Sequence, residues 1–398
     1  MNKIYQTLLV VSFLLMITLP LGGMLIKQSE EVSEKEKRRL AVLPELRFSS
    51  SMLDEFPTEY TRYFNDHYGF RADMIDMNKG IKRAVFNKSA VRMVVRGEQD
   101  WLFLDDHQSL YDHVGLVPMN EDILSGWQQN LINKQRWLAQ KGIEYLFVPV
   151  PNKMTIYPEK MPARVRRLAG PTMLEKLISY MDEQKKFDAF VKLKPLFLEQ
   201  KANNGRLYYY TDSHWSSLGA FWGYQKVMQR LQQQVPQLEP ALEFDDLQHQ
   251  KVKHSTDLNV IFGEGDGKPE EISLFQVKNK CANLEAKEIL SFKKTKAFTA
   301  SKKKKIPWTN GCSNKKLTAM VGRDSFGRYI EPFLSESFKR VVFMRPYDLL
   351  GMESFLDMES FIDKEKPDVY IEIRVERNVK YHLKPDPRMQ SAVEKITS

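Results

Sequence analysis

The sequence predicts an α/β fold built on a mostly parallel sheet, and three observations carry that prediction. Short continuous apolar runs recur at Tyr145–Val150, Lys316–Gly322, Arg340–Met344 and Asp368–Ile373, as expected of strands buried on both faces. Stretches of helical spacing separate them, the clearest being Glu121–Lys141 with Gly142 as its stop. After Pro151 the two patterns alternate, which is the order of βα units.

Along the chain, residues 1–26 come first. Thr7–Ile26 carries no charge, and about 20 apolar residues make a helix of roughly 30 Å, enough for a membrane span. The segment reads as an uncleaved anchor. A cleaved signal is the alternative, with Gly22-Gly23 as the nearest cleavage candidate, although Met24-Leu25-Ile26 carries the apolar run past it. Lys27, Lys35, Lys37, Arg38 and Arg39 follow the segment and only Lys3 precedes it. That bias would keep the following domain cytoplasmic, but large domains translocate regardless of such charge.

Residues 27–95 form a charged stalk and a helical lead-in, with two helices expected between Met52 and Val91. Residues 96–235 hold the first part of the α/β domain, including a short strand at Trp101–Leu104. Regularity fades over 236–315, which reads as an insertion containing the basic stretch Lys293–Lys305. Residues 316–398 complete the α/β domain: strand, sharp turn, helix through Phe338, then two more strands.

Composition narrows the function. With 42% hydrophobic and 28% charged residues, the chain is neither disordered nor a polytopic membrane protein. The net charge of +9 reads as a mildly basic solvated surface. No nucleic-acid module or aromatic-basic interleaving is present. The Lys302–Lys305 run reads as a solvated loop, with an anionic polymer or lipid headgroups as the alternative. Two cysteines exclude a disulfide scaffold, and neither lies in a CxxC pair. A Cys281–Cys312 bond would close a loop of about 30 residues in an oxidising compartment, and two unpaired buried cysteines are the alternative.

Two constellations carry chemistry. In Tyr210-Thr211-Asp212-Ser213-His214-Trp215, Asp212 sits two residues before His214. A turn at that spacing lets the carboxylate fix the imidazole tautomer. Ser216 would then cap the following helix. Alternatively, Asp212 merely caps a turn and His214 packs at the surface. In Gly322-Arg323-Asp324-Ser325-Phe326-Gly327 a strand ends and a helix begins near Arg328. Ser325 therefore stands at the carboxyl edge of a parallel sheet, by a helix N-terminus that favours an oxyanion. A plain N-cap serine is the alternative. Together, Ser325 as nucleophile, His214 as base and Asp212 as orienter contain the parts of acyl transfer.

Lys153 and Arg345 each follow a strand end and are candidate substrate contacts, against the plainer reading of solvated cations. His67 reads as structural. His107, His113, His249, His254 and His382 lack partners at ligand spacing, so no metal and no cofactor is expected.

These motifs resemble the alginate O-acetyltransferase group of SGNH-hydrolase-like proteins, including the DHHW proteins. The likeness runs through Glu36–Ala41, Asp66-His67-Tyr68-Gly69-Phe70-Arg71, Trp101-Leu102-Phe103, Pro151-Asn152-Lys153, Thr211–Trp215, Arg323–Gly327, Pro332-Phe333-Leu334, Pro367-Asp368-Val369 and Glu376-Arg377. It implies a three-layer α/β/α sandwich with Asp212, His214 and Ser325 as its triad, the Asp-x-His pair preceding the serine. It implies a single-pass inner-membrane protein whose periplasmic domain acetylates an exopolysaccharide beside an integral-membrane acyl carrier. The insertion has no match in the family pattern, and no C-terminal carbohydrate-binding module is expected. The acceptor stands open among alginate, cellulose and other glycans. Three functions follow: an O-acetyltransferase first, then an acetyl esterase with the same triad, then a non-catalytic subunit of a polysaccharide-modifying complex.

Overall fold

A computed structural model describes residues 3–26, 32–33, 38–44, 50–71, 73–74, 77, 93–106, 108–254, 256–262, 269–283, 288–289, 307–345 and 355–382. Most of the expected stalk, most of the second lead-in helix, His107 and the basic stretch 293–305 lie outside the described residues. The chain divides into two compact units, Met1–Ala90 and Val91–Ser398.

The first unit contains helix α1 (Lys3–Ile26) and helix α2 (Ser50–His67). Among the described residues no helix is long and apolar enough to cross a membrane, so the expected transmembrane span lacks structural support. At the end of α2, His67 Nε2 donates to the Ala41 carbonyl at 2.8 Å, and Asp66 Oδ2 accepts from Ala41 N at 2.8 Å. The Asp66-His67 pair thus satisfies both polar groups of one peptide residue, a structural role.

In the second unit, strands β1 (Val94–Arg96) and β2 (Leu102–Leu104) form a small antiparallel pair. Helix α3 (Glu121–Gln140) begins at Asn120, whose side chain accepts from Ile123 N. It ends at Gly142, which takes the positive φ of 70° that a residue without Cβ adopts at no cost. Strand β3 (Glu144–Val150) follows, then helix α4 (Met173–Gln184), opened by a Thr172/Glu175 capping box. Helix α5 (Ser217–Gln234) comes next.

A hairpin of β4 (Leu247–His254) and β5 (Glu270–Val277) then forms, with the short helix α6 (Asp257–Phe262) between its strands. Further along come β6 (Glu288–Ile289), β7 (Trp308–Asn310), β8 (Thr318–Arg323), helix α7 (Gly327–Ser337), β9 (Arg340–Met344), helix α8 (Phe355–Glu365) and β10 (Val369–Val375).

The central sheet has the order β3-β10-β8-β9-β7-β6. Its first four strands are parallel, while β7 and β6 add as antiparallel edge strands. The sheet is therefore mixed where a mostly parallel one is expected. The edge strands come from the region read as an insertion, where two- and three-residue segments leave no hydrophobic period to detect. Leu146, Phe147, Val148, Met320, Val321, Val341, Val342, Ile371 and Ile373 are all fully buried. Alternate residues of a strand face opposite sides, so both faces are covered. Helix α3 packs on β3 and α4, while α5 packs on α7 and β3.

Cys281 and Cys312, 31 residues apart, are joined by a disulfide. Closing a loop of that size constrains the unfolded chain by about 3–4 kcal/mol. Replacing both cysteines with serine is expected to lower stability by about that amount. Urea denaturation would measure it, and the wild type in reductant should match the variant.

Candidate functional site

Two loops meet at the carboxyl ends of the parallel strands. The first runs from Tyr209 to Ser216. Ser216 Oγ accepts from Gly219 N at 3.1 Å and caps α5, so the preceding residues are held at a helix entrance. Within this loop Asp212 turns back on His214. Its Oδ1 accepts from His214 N at 2.9 Å and lies 2.8 Å from His214 Nδ1. That contact places the proton on Nδ1 and leaves Nε2 as the basic nitrogen. His214 Nε2 is buried and has no hydrogen-bond partner.

Asp212 is engaged on its other oxygen too. His254 Nε2, at the end of β4, lies 3.2 Å from Oδ2, and the His254 ring stacks on Tyr209 at 4.6 Å. Sequence spacing leaves His254 without a partner, and the structure corrects this: the hairpin returns it to a residue 42 positions earlier. Burial opposes the Asp212 charge, but hydrogen bonds from His214 and His254 outweigh it and hold the carboxyl well below the usual carboxylate range.

Asp257, the first residue of α6, accepts from Ser213 N at 2.8 Å and Ser213 Oγ at 2.6 Å. Glu270 accepts from Tyr210 N and Thr211 N, each at 3.1 Å. Both ends of the hairpin connection thus pin the loop. No local sequence signal marks these residues, because only the β4–β5 pairing brings them to the loop.

The second loop follows β8. Asp324 Oδ1 accepts from Phe326 N at 2.9 Å, closing a tight turn around Ser325. Its Oδ2 accepts from Val375 N at 2.7 Å and Asn378 Nδ2 at 3.3 Å, fastening the turn to the end of β10. Ser325 is half-buried, two residues before α7. Gly327 allows the close return: a Cβ there would lie 2.5 Å from the Arg323 side chain. The two loops are tied together by Trp215 Nε1, which donates to the Phe326 carbonyl at 2.9 Å. The rings of His214 and Phe326 lie 4.9 Å apart.

Lys153 does not face open solvent. It is 4% exposed, and its ammonium donates to the carbonyls of Tyr209, Tyr210 and Asp212 at 3.1, 3.0 and 2.8 Å. Burial lowers its pKa to about 7, against the attraction of Asp212, Asp257 and Glu270. It holds the first loop from beneath, so the expected substrate contact is replaced by a positioning role. Arg345 is half-buried just after β9, its Nε buried without a hydrogen-bond partner. Burial lowers its pKa, against the attraction of Asp324 and Glu331. Glu376, also buried, accepts from Asn152 N, Thr155 Oγ1 and Thr172 Oγ1, tying β3 and α4 to the segment after β10.

Asp212, His214 and Asp257 bring three donor atoms within 4.8 Å of one another, but all three residues already hydrogen-bond each other or Ser213. In the other such group, the sulfurs of Cys281 and Cys312 are bonded together and Glu336 accepts from Cys281 N and Ala282 N.

A family model described as the SGNH hydrolase-like domain of acetyltransferase AlgX matches residues 94–304. The match includes Asp212 and His214 and ends before Ser325. Among solved structures, PatB1 of Bacillus cereus aligns over 74% of this chain and 97% of its own, at 19% identity and a TM-score of 0.52. PatB1 carrying a sulfonyl adduct aligns over 71% and 94%, at 16% identity and 0.51. The O-acetyltransferase domain of Pseudomonas putida AlgJ aligns over 75% and 98%, at 16% identity and 0.46. At these identities the PatB1 likeness speaks to the fold. No curated protein matches the sequence. With more than half of its length matched by that one family model, the chain belongs to the AlgX family of SGNH hydrolase-like acetyltransferase domains.

Proposed function

We propose that this protein is a polysaccharide O-acetyltransferase that works through an acetyl-Ser325 intermediate. One observation carries the reading: the Asp212–His214 pair leaves a buried, unpartnered Nε2 in a loop bonded to the turn that holds Ser325. In this mechanism Ser325 Oγ attacks an acyl carbonyl while His214 Nε2 accepts its proton. The tetrahedral intermediate collapses, the donor's leaving group departs with that proton, and Ser325 is acetylated. A sugar hydroxyl then attacks the acetyl carbon, giving its proton to His214, which returns it to Ser325. Asp212 keeps its charge throughout and stabilises the imidazolium. The N-terminus of α7 favours the oxyanion formed twice on this path.

The proposal places the domain in the periplasm, at the inner membrane, supplied by an integral-membrane acyl carrier. The Cys281–Cys312 bond supports an oxidising compartment. Arg345, beside the turn, is proposed to contact the acceptor.

The test is intact-mass analysis of the full chain after mixing with an activated acetyl ester. One acetyl group is expected on Ser325, absent from Ser325→Ala. Adding a glycan acceptor should then transfer the group to sugar hydroxyls faster than water removes it. A folded protein that forms no adduct would sink the reading, and an adduct lost only to water would convert it to an esterase.

A further inference from the structure

The hairpin of β4 and β5 comes from the stretch read as an insertion, yet it reaches the centre of the site. The pair nearest its connection is His254 and Glu270, facing each other in register. The two hold different parts of one loop. Glu270 accepts from the backbone N–H groups of Tyr210 and Thr211 and from Thr211 Oγ1. His254 reaches the Asp212 side chain instead, with Nε2 3.2 Å from Oδ2.

Asp212 is buried, and a buried carboxylate oxygen without a donor is costly. His214 occupies Oδ1 through its N and Nδ1. Among the described residues, Oδ2 has His254 as its donor. An ionised carboxylate only accepts, so this contact puts the His254 proton on Nε2. The ring is aimed by its stack on Tyr209, with 4.6 Å between centres and 28° between planes. Other charged groups surround the pair but are engaged elsewhere. Lys153 donates to the Asp212 carbonyl, Asp257 of α6 holds Ser213 while lying 3.8 Å from His214 Nδ1, and Arg206 pairs with Glu270. From α7, the Tyr329 ring packs against His214 at 5.6 Å.

We propose that His254 is a positioning residue for acetyl transfer: its neutral ring donates Nε2–H to Asp212 Oδ2, fixes Oδ1 on His214 and divides the carboxylate's charge between two imidazoles. The assignment rests on the acetyltransferase reading. Fixing the carboxylate stops it from rotating away from His214 Nδ1. Dividing its charge loosens its hold on the imidazolium, so His214 can pass the Ser325 proton on to the leaving group. The hairpin thus acts on the reaction through Asp212, without touching a reacting atom.

Single-turnover acetylation of Ser325 in variants of the full chain tests the proposal. His254→Phe keeps a ring on Tyr209 but removes the donor, and is expected to lower kcat about tenfold to hundredfold with KM held. His254→Gln sets an amide N–H near the place of Nε2 and should stay within about threefold of wild type. His249→Phe, exposed on the same strand, should match wild type. The acid limb of the rate profile gives a reading that a merely structural role would leave in place. In His254→Phe the undivided charge favours the His214 imidazolium, so the limb should move to higher pH by about half a unit or more. Should His254→Phe unfold, nitrogen-15 NMR of histidine-labelled wild type, assigned with His254→Gln, decides without any activity. It should show His254 neutral, with its proton on Nε2. Full activity in His254→Phe, an equal loss in His254→Gln, an unmoved acid limb, or a His254 proton on Nδ1 would each overturn the role. Wild-type protein that shows the expected tautomer but never acetylates Ser325 would count against the acetyltransferase reading and not against the His254–Asp212 contact.

Discussion

Asp212→Asn is expected to lower acetyl transfer by about 10⁴ while leaving the fold and substrate affinity nearly intact. The carboxylate accepts from His214 on one oxygen and faces His254 on the other. An amide offers only one accepting oxygen. Its NH₂ must then point at one of the two imidazoles, either opposing His254 or turning His214 to the tautomer with its proton on Nε2. In that tautomer His214 cannot take the Ser325 proton. Single-turnover acetylation by an activated ester should show the loss in kcat with KM held. A drop below tenfold would remove Asp212 from the mechanism. The same substitution has a signature in stability. Because the folded carboxyl is held below its unfolded value near 3.9, its contribution is present above that pH and fades as the pH falls below it. The stability gap between wild type and variant should close on acidification.

Lys153 gives the second large effect, with the opposite course. Its folded pKa is lowered to about 7, whereas the unfolded side chain titrates near 10.4. Between those values the unfolded chain binds the extra proton, so stability rises with pH, by up to about 1.4 kcal/mol per unit. The favourable contribution is intact above the unfolded pKa and is lost as pH falls to about 7, a difference of roughly 4–5 kcal/mol. Lys153→Met removes this dependence and takes away the donor to the carbonyls of Tyr209, Tyr210 and Asp212, two hydrogen bonds from the neutral amine or three from the ammonium, at about 1–3 kcal/mol for each lost. Urea midpoints from pH 7 to pH 10 should rise more steeply for wild type than for the variant. Parallel curves would show that Lys153 stays charged where it is buried.

The parts of the fold that the sequence makes legible are those written in continuous apolar runs. Strands β3, β8, β9 and β10 and helix α3 fall within one or two residues of their predicted spans. Full burial of a strand leaves that signature whatever it packs against. The Asp212-x-His214 pairing is readable for a different reason: it is local, and its geometry follows from a two-residue turn. His254, Asp257 and Glu270 act across a hairpin, and nothing near them in the chain records where the hairpin returns. Lys153 misleads because a lysine after a strand end usually reaches solvent. Here three backbone carbonyls converge on its ammonium, an arrangement set by a loop more than 50 residues away. Strands β6 and β7 escape because they are too short to show a period.

Strand β10 lies between β3 and β8, one strand in from the edge of the sheet, though it is the last of these to be synthesised. Its last residue, Val375, and Asn378 in the turn that follows it fasten the turn around Ser325. A chain still emerging from the ribosome thus holds Asp212, His214 and Ser325 before the segment that fastens the Ser325 turn exists. The proposed chemistry waits for that final insertion, and proteolytic loss of residues beyond 368 is expected to leave a gap between β3 and β8 and to abolish acetyl transfer. Reactivity in this fold is a reward for completeness.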